Sequence, residues 1–589
     1  MVDIYRLLQE IVPSDEKWFH GAKFTNEQLD ALENETDQKI FSLLRDISSL
    51  GVHSETTGIE FSPMFEYPDG TRTFSLEDLS DDDFQLLYSL EFDKLPLVLR
   101  ARISAILWTK KKDYRMALKA SNYYYELYIT SFDLEKWGAC YKFLVLAVRL
   151  ASQINSKDYP IYLQKIADKI IELNGNDPSI LSILLTELLL SQRKWNKFDT
   201  LITTIDNMIE NSLGNVDKSI RAYNLRTKVY YRLGDPTSAM ENNRKLARYL
   251  ETKAVPETYD NIQSLFHAEK HLQEAVHLYR NNGAPDEGER VHRKLLEVQK
   301  GIPQYMIPIS VSENMTQEYE NVEALFVGLS FKESLIRIVQ CTPLYKKEFL
   351  KQKVLEDAAD PLSCLFGSGI KSSQGRTIVE IPPIDMQEPE ANIEVLEKHM
   401  HHTALLLEEI RGSTILKWAG DILNTKFQFA AEDLEFLVKN NPIIPVGREN
   451  IFLAGLYHGL KGDIYISLHI LAPQIENLFR CIAEDAGAIM STLKDDDTSD
   501  AKLLTSIFDT PELIECYDND ILFLLKGLLN EKAGANIRNE IAHGLMSEQK
   551  GSNGAARFFL CWVLRLLSYT SGECREILIT SENLKKESK

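Results

Sequence analysis

The sequence predicts an all-α protein: an irregular α-solenoid of tetratricopeptide-like helical hairpins, followed by a C-terminal helical bundle. Three observations predict it. Apolar residues recur at helical spacing through most of the chain. Proline and glycine, at 20 and 28 residues, are few for a chain of 589, so breaks are sparse. Amphipathic segments come in pairs separated by short polar turns, as stacked hairpins require. The length exceeds what one core supports, and about two to four domains are expected.

Residues 1–90 begin with helical periodicity and pass through "GIEFSPMFEYPDGTRTF", where Pro68-Asp69-Gly70 predicts a turn. The acidic "SLEDLSDDDF" follows, with Ser80 or Asp81 suited to cap the next helix. This region reads as an N-terminal helical cap. From 91 to 300 the pattern is a series of helix pairs. "LPLVLRARISAILWTKKKDYRMALKASNYYYELY" gives two helices parted by the polar "KKKD", and Asp177-Pro178-Ser179 opens another pair. "AYNLRTKVYYRLGDPTSAMENNRKLARYL" has a turn at "LGD", with Ala239 and Ala247 on its second helix. Trp137, Trp195, Asp235 and His271 are unevenly spaced, so the repeats are degenerate.

Regularity falls between 301 and 395, where "GIPQYMIPISVSE", "GSGIKSSQGRT" and "VEIPPIDMQEPEAN" concentrate proline and glycine. This reads as an irregular connector, with helix in "ENVEALFVGLSFKESLIRIVQ". The helical pattern returns from 396 to 589, and "LKDDDTSDAK" (493–502) reads as a solvated loop. "GDIYISLHILAPQIENLFRCIAEDAG", "ELIECYDNDILFLLKGLLN" and "GAARFFLCWVLRLLSY" each carry an apolar stripe suited to a bundle.

The net charge of −21 argues against a broad basic surface for nucleic acid, although a small local site needs few cations. Seven dispersed cysteines (140, 341, 364, 481, 516, 561, 574) without a CxxC pair predict reduced thiols and a cytoplasmic protein. The acidic N-terminus lacks the pattern of a signal peptide. "FFLCWVLRLL" (558–567) is too short for a span and contains Arg565, so a buried helix and no membrane association are expected.

Two histidine groups invite a metal. His267 and His271 stand four apart, but Ala268 occupies the place of the zincin glutamate. "HMHH" (399–402) has no partnering Cys or Asp nearby. Neither predicts a metal site, and no cofactor is expected. "GSGIKSS" (367–373) fails as a phosphate loop because Ile370 precedes Lys371 and no strand leads in, so a flexible connector is expected.

"AGANIRNEIAHGLMSEQK" (533–550) is the richest stretch chemically, with Arg538, Asn539, Glu540 and His543 within six residues. On a helix turning about 100° per residue, Arg538, Asn539 and His543 spread over roughly 140°. Ile537, Ile541 and Leu545 fall on the opposite side, predicted to pack inward. Asn536 is placed to cap the helix and Gly544 to end it. An imidazole titrates near neutral pH and a guanidinium offers fixed donors to a phosphate, so the set suits phosphodiester chemistry. RNA supplies its own nucleophile, the 2′-OH, so this chemistry does not require a metal. The competing explanation is an exposed face that pairs with Glu540 or Glu548 and caps carbonyls.

"RNEIAHG" (538–544) resembles the RNxxxHG signature of a family in the HEPN superfamily that includes the ER-membrane-associated RNA-degradation protein. "LHILAPQIENLFR" (468–480) resembles that family's helix with its PQxE element, and "LPLVLRARISAILW" (95–108) a segment of its longer members. The resemblance covers about 460–570 well and the N-terminal part loosely. It implies a HEPN-type bundle, often dimeric, with metal-independent endoribonuclease activity that leaves a 2′,3′-cyclic phosphate. In that case Arg538 binds the scissile phosphate, His543 transfers protons and Asn539 orients the site, with Glu476, Arg480 and Glu540 in support. The expected partners are RNA such as tRNA, a second copy of the chain, and a protein on the repeat region. A role in defence or stress is one expectation. A non-catalytic or nucleotide-binding scaffold is the alternative, since helical repeats more often serve interaction.

Overall fold

The computed structural model describes residues 3–12, 23–52, 61–66, 71–177, 179–254, 261–306, 314–358, 367–372, 374–385, 391–493, 499–501 and 507–578. Pro68-Asp69-Gly70, Pro178 and Cys364 lie outside them. The protein is all-α, and its described strands form three two-stranded antiparallel hairpins. Two compact units divide the chain, Met1–Val298 and Gln299–Lys589. No helix among the described residues is long and apolar enough to cross a membrane.

In the first unit, each helix from Leu97 onward packs mainly on its neighbours in sequence, as repeated hairpins do. Local chemistry sets the breaks. The helix Leu97–Lys111 ends where Lys112 turns left-handed, and Asp113 starts Tyr114–Thr130 by accepting from the Arg115 amide. Ser80, one of the two expected caps, accepts from the Asp83 amide and opens Asp81–Ser89. The carboxylate of Asp177 accepts from the amides of Leu181 and Ser182 at 2.8 and 3.3 Å, so it starts Leu181–Ser191 from four residues upstream. At "LGD", Gly234 has positive φ, Asp235 caps Pro236–Lys253, and Ala239 and Ala247 are fully buried. Arg102, buried in Leu97–Lys111, donates to the carbonyls of Ile47 and Leu50 at 2.8 and 3.2 Å. It thereby satisfies the open end of Glu35–Ser48 and ties the N-terminal cap to the first hairpin.

The second unit is built around Gly554–Thr570, buried along nearly its whole length from Ala555 to Leu567. This is the buried helix anticipated for 558–567. Its Arg565 donates to the carbonyls of Val339 and Thr342 at 3.3 and 2.9 Å, closing the end of Phe331–Cys341. Leu335, Ile336, Ile338 and Val339 of that helix enter the main core. Residues 301–395, expected to connect, therefore contribute to the bundle itself. Ile393–Ser413 crosses Gly554–Thr570 very closely: a Cβ on Gly412 would lie 1.8 Å from the Gly554 carbonyl oxygen.

Three expectations need correction. "GSGIKSSQGRTIVEI" is a hairpin rather than a flexible connector, with Ser368–Lys371 paired to Thr377–Ile381. The β-branched run Thr377, Ile378, Val379 and Ile381 supplies the strand that Ser and Gly obscured. Ser491–Leu493 pairs with Ser499–Ala501, so the "LKDDDTSDAK" loop is flanked by strands, while 494–498 and 502 lie outside the described residues. "ELIECYDNDILFLLKGLLN" forms two helices, Pro511–Cys516 and Asn519–Leu529, because Asp518 caps the second by accepting from the Asp520 amide at 2.9 Å.

Candidate active site

The motif sits on a short helix, Ile537–Ala542, entered through a tight passage. A Cβ on Gly534 would lie 2.2 Å from the Gly527 carbonyl oxygen, so only glycine fits beside Asn519–Leu529. Asn536 then adopts a left-handed conformation at φ 53°, which asparagine tolerates. It stands at the helix start as expected, but its side chain does not cap an amide. It accepts instead from Asn539 Nδ2 at 2.8 Å. Asn539 Nδ2 also donates to the Asn530 carbonyl at 3.2 Å, so the amide of the motif locks its own entry loop.

Gly544, with φ 65°, ends the helix at its C-terminal side as anticipated. The termination comes early enough to leave His543 as the cap residue and Leu545 66% exposed, not packed inward. Ile537 is buried and Ile541 partly buried, so only these two of the three apolar positions face the core.

Arg538 faces Ile464–Asp485. Its Nε donates to Glu476 Oε2 at 2.7 Å, and Glu476 Oε1 accepts from Arg480 Nη2 at 2.8 Å. The side chains of Glu476, Arg480 and Arg538 are 13%, 17% and 25% exposed, so water screens this triad only partly. Arg538 Nη1 points to Asn539 Oδ1 at 3.4 Å. The PQIE element and the RN pair, 62 positions apart, thus form one connected set. Glu540 is buried and pairs with Lys550 at 3.0 Å.

His543 is exposed, and its ring makes no hydrogen bond or ion pair among the described residues. With Asn539, Glu540 and Gly544 it lines a cleft of about 960 Å³ whose far wall is the hairpin, including Lys371, Gln374 and Arg376. Lys532, Lys550 and Glu409 also line it, whereas Arg538 does not. The structure therefore joins Arg538 to Asn539, Glu476 and Arg480, and places His543 separately at the cleft. Sequence reasoning missed the cleft cations Lys371, Arg376, Lys532 and Lys550. The alternating "RTIVEI" was the signal that could have placed the first two.

A second layer carries shifted carboxyls. Burial beside Glu409 pushes the carboxyl of Glu408 up to about 8. Burial also raises Glu409, opposed by the Gly554 and Ala555 amides that donate to it. The "HMHH" imidazoles go to separate surroundings. His399 Nε2 meets the Pro382 carbonyl at 2.7 Å, while His401 stacks on Phe523 at 4.0 Å and burial pushes it down to about 3. Burial also lowers His402. The rings of His267 and His271 stand 6.5 Å apart.

A family model described as a domain of unknown function (DUF7380) matches residues 8–159. That match lies wholly in the first unit and does not reach the motif. Neither the curated proteins nor the solved structures contain a match.

Proposed function

We propose that this protein is a metal-independent endoribonuclease of HEPN type, acting on RNA such as tRNA as a dimer. One observation carries the reading: Arg538 is held by the PQIE helix through Glu476, while His543 stands unengaged at the helix end beside an open cleft. A rigid guanidinium and a free imidazole on one short helix are what 2′-OH attack needs. The 2′-oxygen bonds to phosphorus, the bond to the 5′-oxygen breaks, and a 2′,3′-cyclic phosphate remains. His543 takes the 2′-OH proton or supplies one to the leaving 5′-oxygen, and in a dimer two motifs divide those tasks. Arg538 neutralises the charge on the pentacoordinate phosphorus through its Nη groups, with Asn539 fixing its plane. Service in defence or stress belongs to this proposal.

The pairing of Arg538 with its own chain's Glu476 favours a second reading, a non-catalytic scaffold in which the motif is structural. One assay separates them. Purified protein is incubated in EDTA with total RNA and a tRNA pool, beside His543→Ala and Arg538→Ala. Fragments ending in cyclic phosphate, lost at least about 100-fold in both variants, are expected, in line with general acid–base and charge-stabilising roles. Equal inertness of all three proteins, in vitro and in cells through growth arrest, would leave the scaffold.

A further inference from the structure

We propose that the cleft lined by His543 and Asn539 holds the backbone of a single RNA strand. In this proposal Arg376 of the hairpin and Lys532 of the motif's entry loop bind the phosphates that flank the cut. It rests on the ribonuclease reading for the choice of RNA and adds the residues that seat the strand.

Against a chain of net charge −21, the lining gathers Lys371, Arg376, Lys532 and Lys550 from three separate stretches of sequence. Its two carboxylates are already engaged: Glu409 accepts from Asn553 and from the Gly554 amide at 2.9 Å, and Glu540 pairs with Lys550. Arg376 and Lys532 are exposed, and neither side chain has a hydrogen bond or ion pair among the described residues. Lys371 Nζ donates to Thr377 Oγ1 at 3.0 Å, which sets its stem along the hairpin. The cleft thus offers two cations, Arg376 and Lys532, that its own acids do not pair.

The wall is fixed in place. Gly375, at φ 75°, lies so close to the backbone of Gln299 that a Cβ would stand 1.9 Å from its carbonyl oxygen. At the other end Ile381 is buried and Pro382 meets His399. A wall anchored at both ends does not have to be ordered by the ligand, which lowers the cost of binding. Ile370, Ile378, Leu405, Leu545 and Met546 add apolar lining, and among the described residues no Phe, Tyr or Trp lines the cleft. A site with phosphate partners and no stacking platform binds strands with little base preference.

The test is fluorescence anisotropy of the full chain with a labelled 2′-O-methyl RNA oligonucleotide, which binds but cannot be cut because its 2′-oxygen is blocked. Wild type, Arg376→Ala/Lys532→Ala, Arg376→Lys and, as a control, Lys417→Ala at an exposed lysine that does not line the cleft are compared across a salt series. Thermal melting checks that each variant is folded. The double variant should bind about tenfold more weakly, with a salt slope shallower by about 0.7 for each phosphate that is no longer neutralised. Arg376→Lys should retain most binding, and Lys417→Ala all of it. Unchanged affinity and slope in the double variant, or no RNA binding by wild type at low salt, would overturn the proposal. Equal binding of a glutamate-rich peptide of matched charge would overturn it in favour of an acidic protein segment. Cleavable RNA separates this outcome from that of the enzyme reading. Cutting at unchanged KM by the double variant would sink the cleft alone, whereas cleft-dependent binding without cutting would sink the nuclease alone.

Discussion

Glu408 is 2% exposed on Ile393–Ser413, and its position has a direct thermodynamic consequence. Burial raises its folded-state value to about 8, above the ordinary carboxylate range, so the folded protein holds the proton more tightly than the unfolded chain. The contribution of Glu408 to folding stability is then fully present at acid pH and is lost as pH rises toward 8, because the unfolded chain ionises first. Glu408→Gln, which cannot ionise, should be more stable than wild type, and its advantage should grow by roughly 2 kcal/mol between pH 6 and pH 8. Denaturant melts at the two pH values check this, and a pH-independent difference would refute it. Glu476 makes the opposite prediction. It answers two guanidiniums, so Glu476→Ala leaves both facing each other with little water. That should cost up to about 3 kcal/mol, and under the proposed function it should abolish RNA cleavage although Glu476 does not touch RNA. Retained cleavage would show that Arg538 needs no support. The i,i+4 pairing of Glu476 with Arg480 was legible in the sequence, but the bond from Glu476 to Arg538 was not, because no spacing rule joins residues 62 positions apart.

Elements in this chain start and stop where local chemistry says they should, and each misreading has its own physical cause. Ser80 and Gly544 were recognisable as cap and terminator, and "KKKD" and "LGD" as turns, because each acts on its own neighbours in sequence; that Asp113 and Asp235 cap the helices after those turns is a finding of the structure. The 368–381 hairpin was hidden because serine and glycine at its turn resemble a linker, while the anchor of that turn, Gln299, lies far away in sequence. Leu545 was misplaced because helical geometry was carried one residue past Gly544. Close packing between elements is equally invisible in sequence, and it decides how glycines respond to substitution. Gly554 abuts Ile393–Ser413, where a new Cβ would lie 2.0 Å from the Glu409 carbonyl oxygen. Gly420, in Ile415–Lys426, has nothing within 4 Å. Gly554→Ala should therefore destabilise by about 1–3 kcal/mol through overpacking. Gly420→Ala should stabilise by about 0.5–1 kcal/mol by favouring the helix. Melting temperatures that shift in the same direction for both would contradict this account of the crossing.

At the scale of the whole molecule, chemistry and repeat architecture fall in different units. Every residue of the triad, the motif and the cleft lies between 370 and 556, and the principal core of the second unit draws on residues 322–578 alone. A unit with its own core and a complete set of site residues should fold by itself. The fragment 285–589, begun early enough to keep Pro285–Gly301 whole, should unfold in one cooperative transition. Under the cleft proposal it should bind 2′-O-methyl RNA with the affinity of the full chain. Under the proposed function it should also cut RNA in EDTA. The helical repeats expose surface along a stack of hairpins, an arrangement suited to choosing a partner rather than to chemistry. Their removal should then broaden the set of RNAs cut while leaving the cyclic-phosphate ends unchanged. Sequencing the fragments released by the full chain and by 285–589 measures that breadth. An identical cut-site pattern would remove selection from the repeats, and a fragment that cuts nothing while the full chain cuts would place an essential part of the nuclease in the first 284 residues.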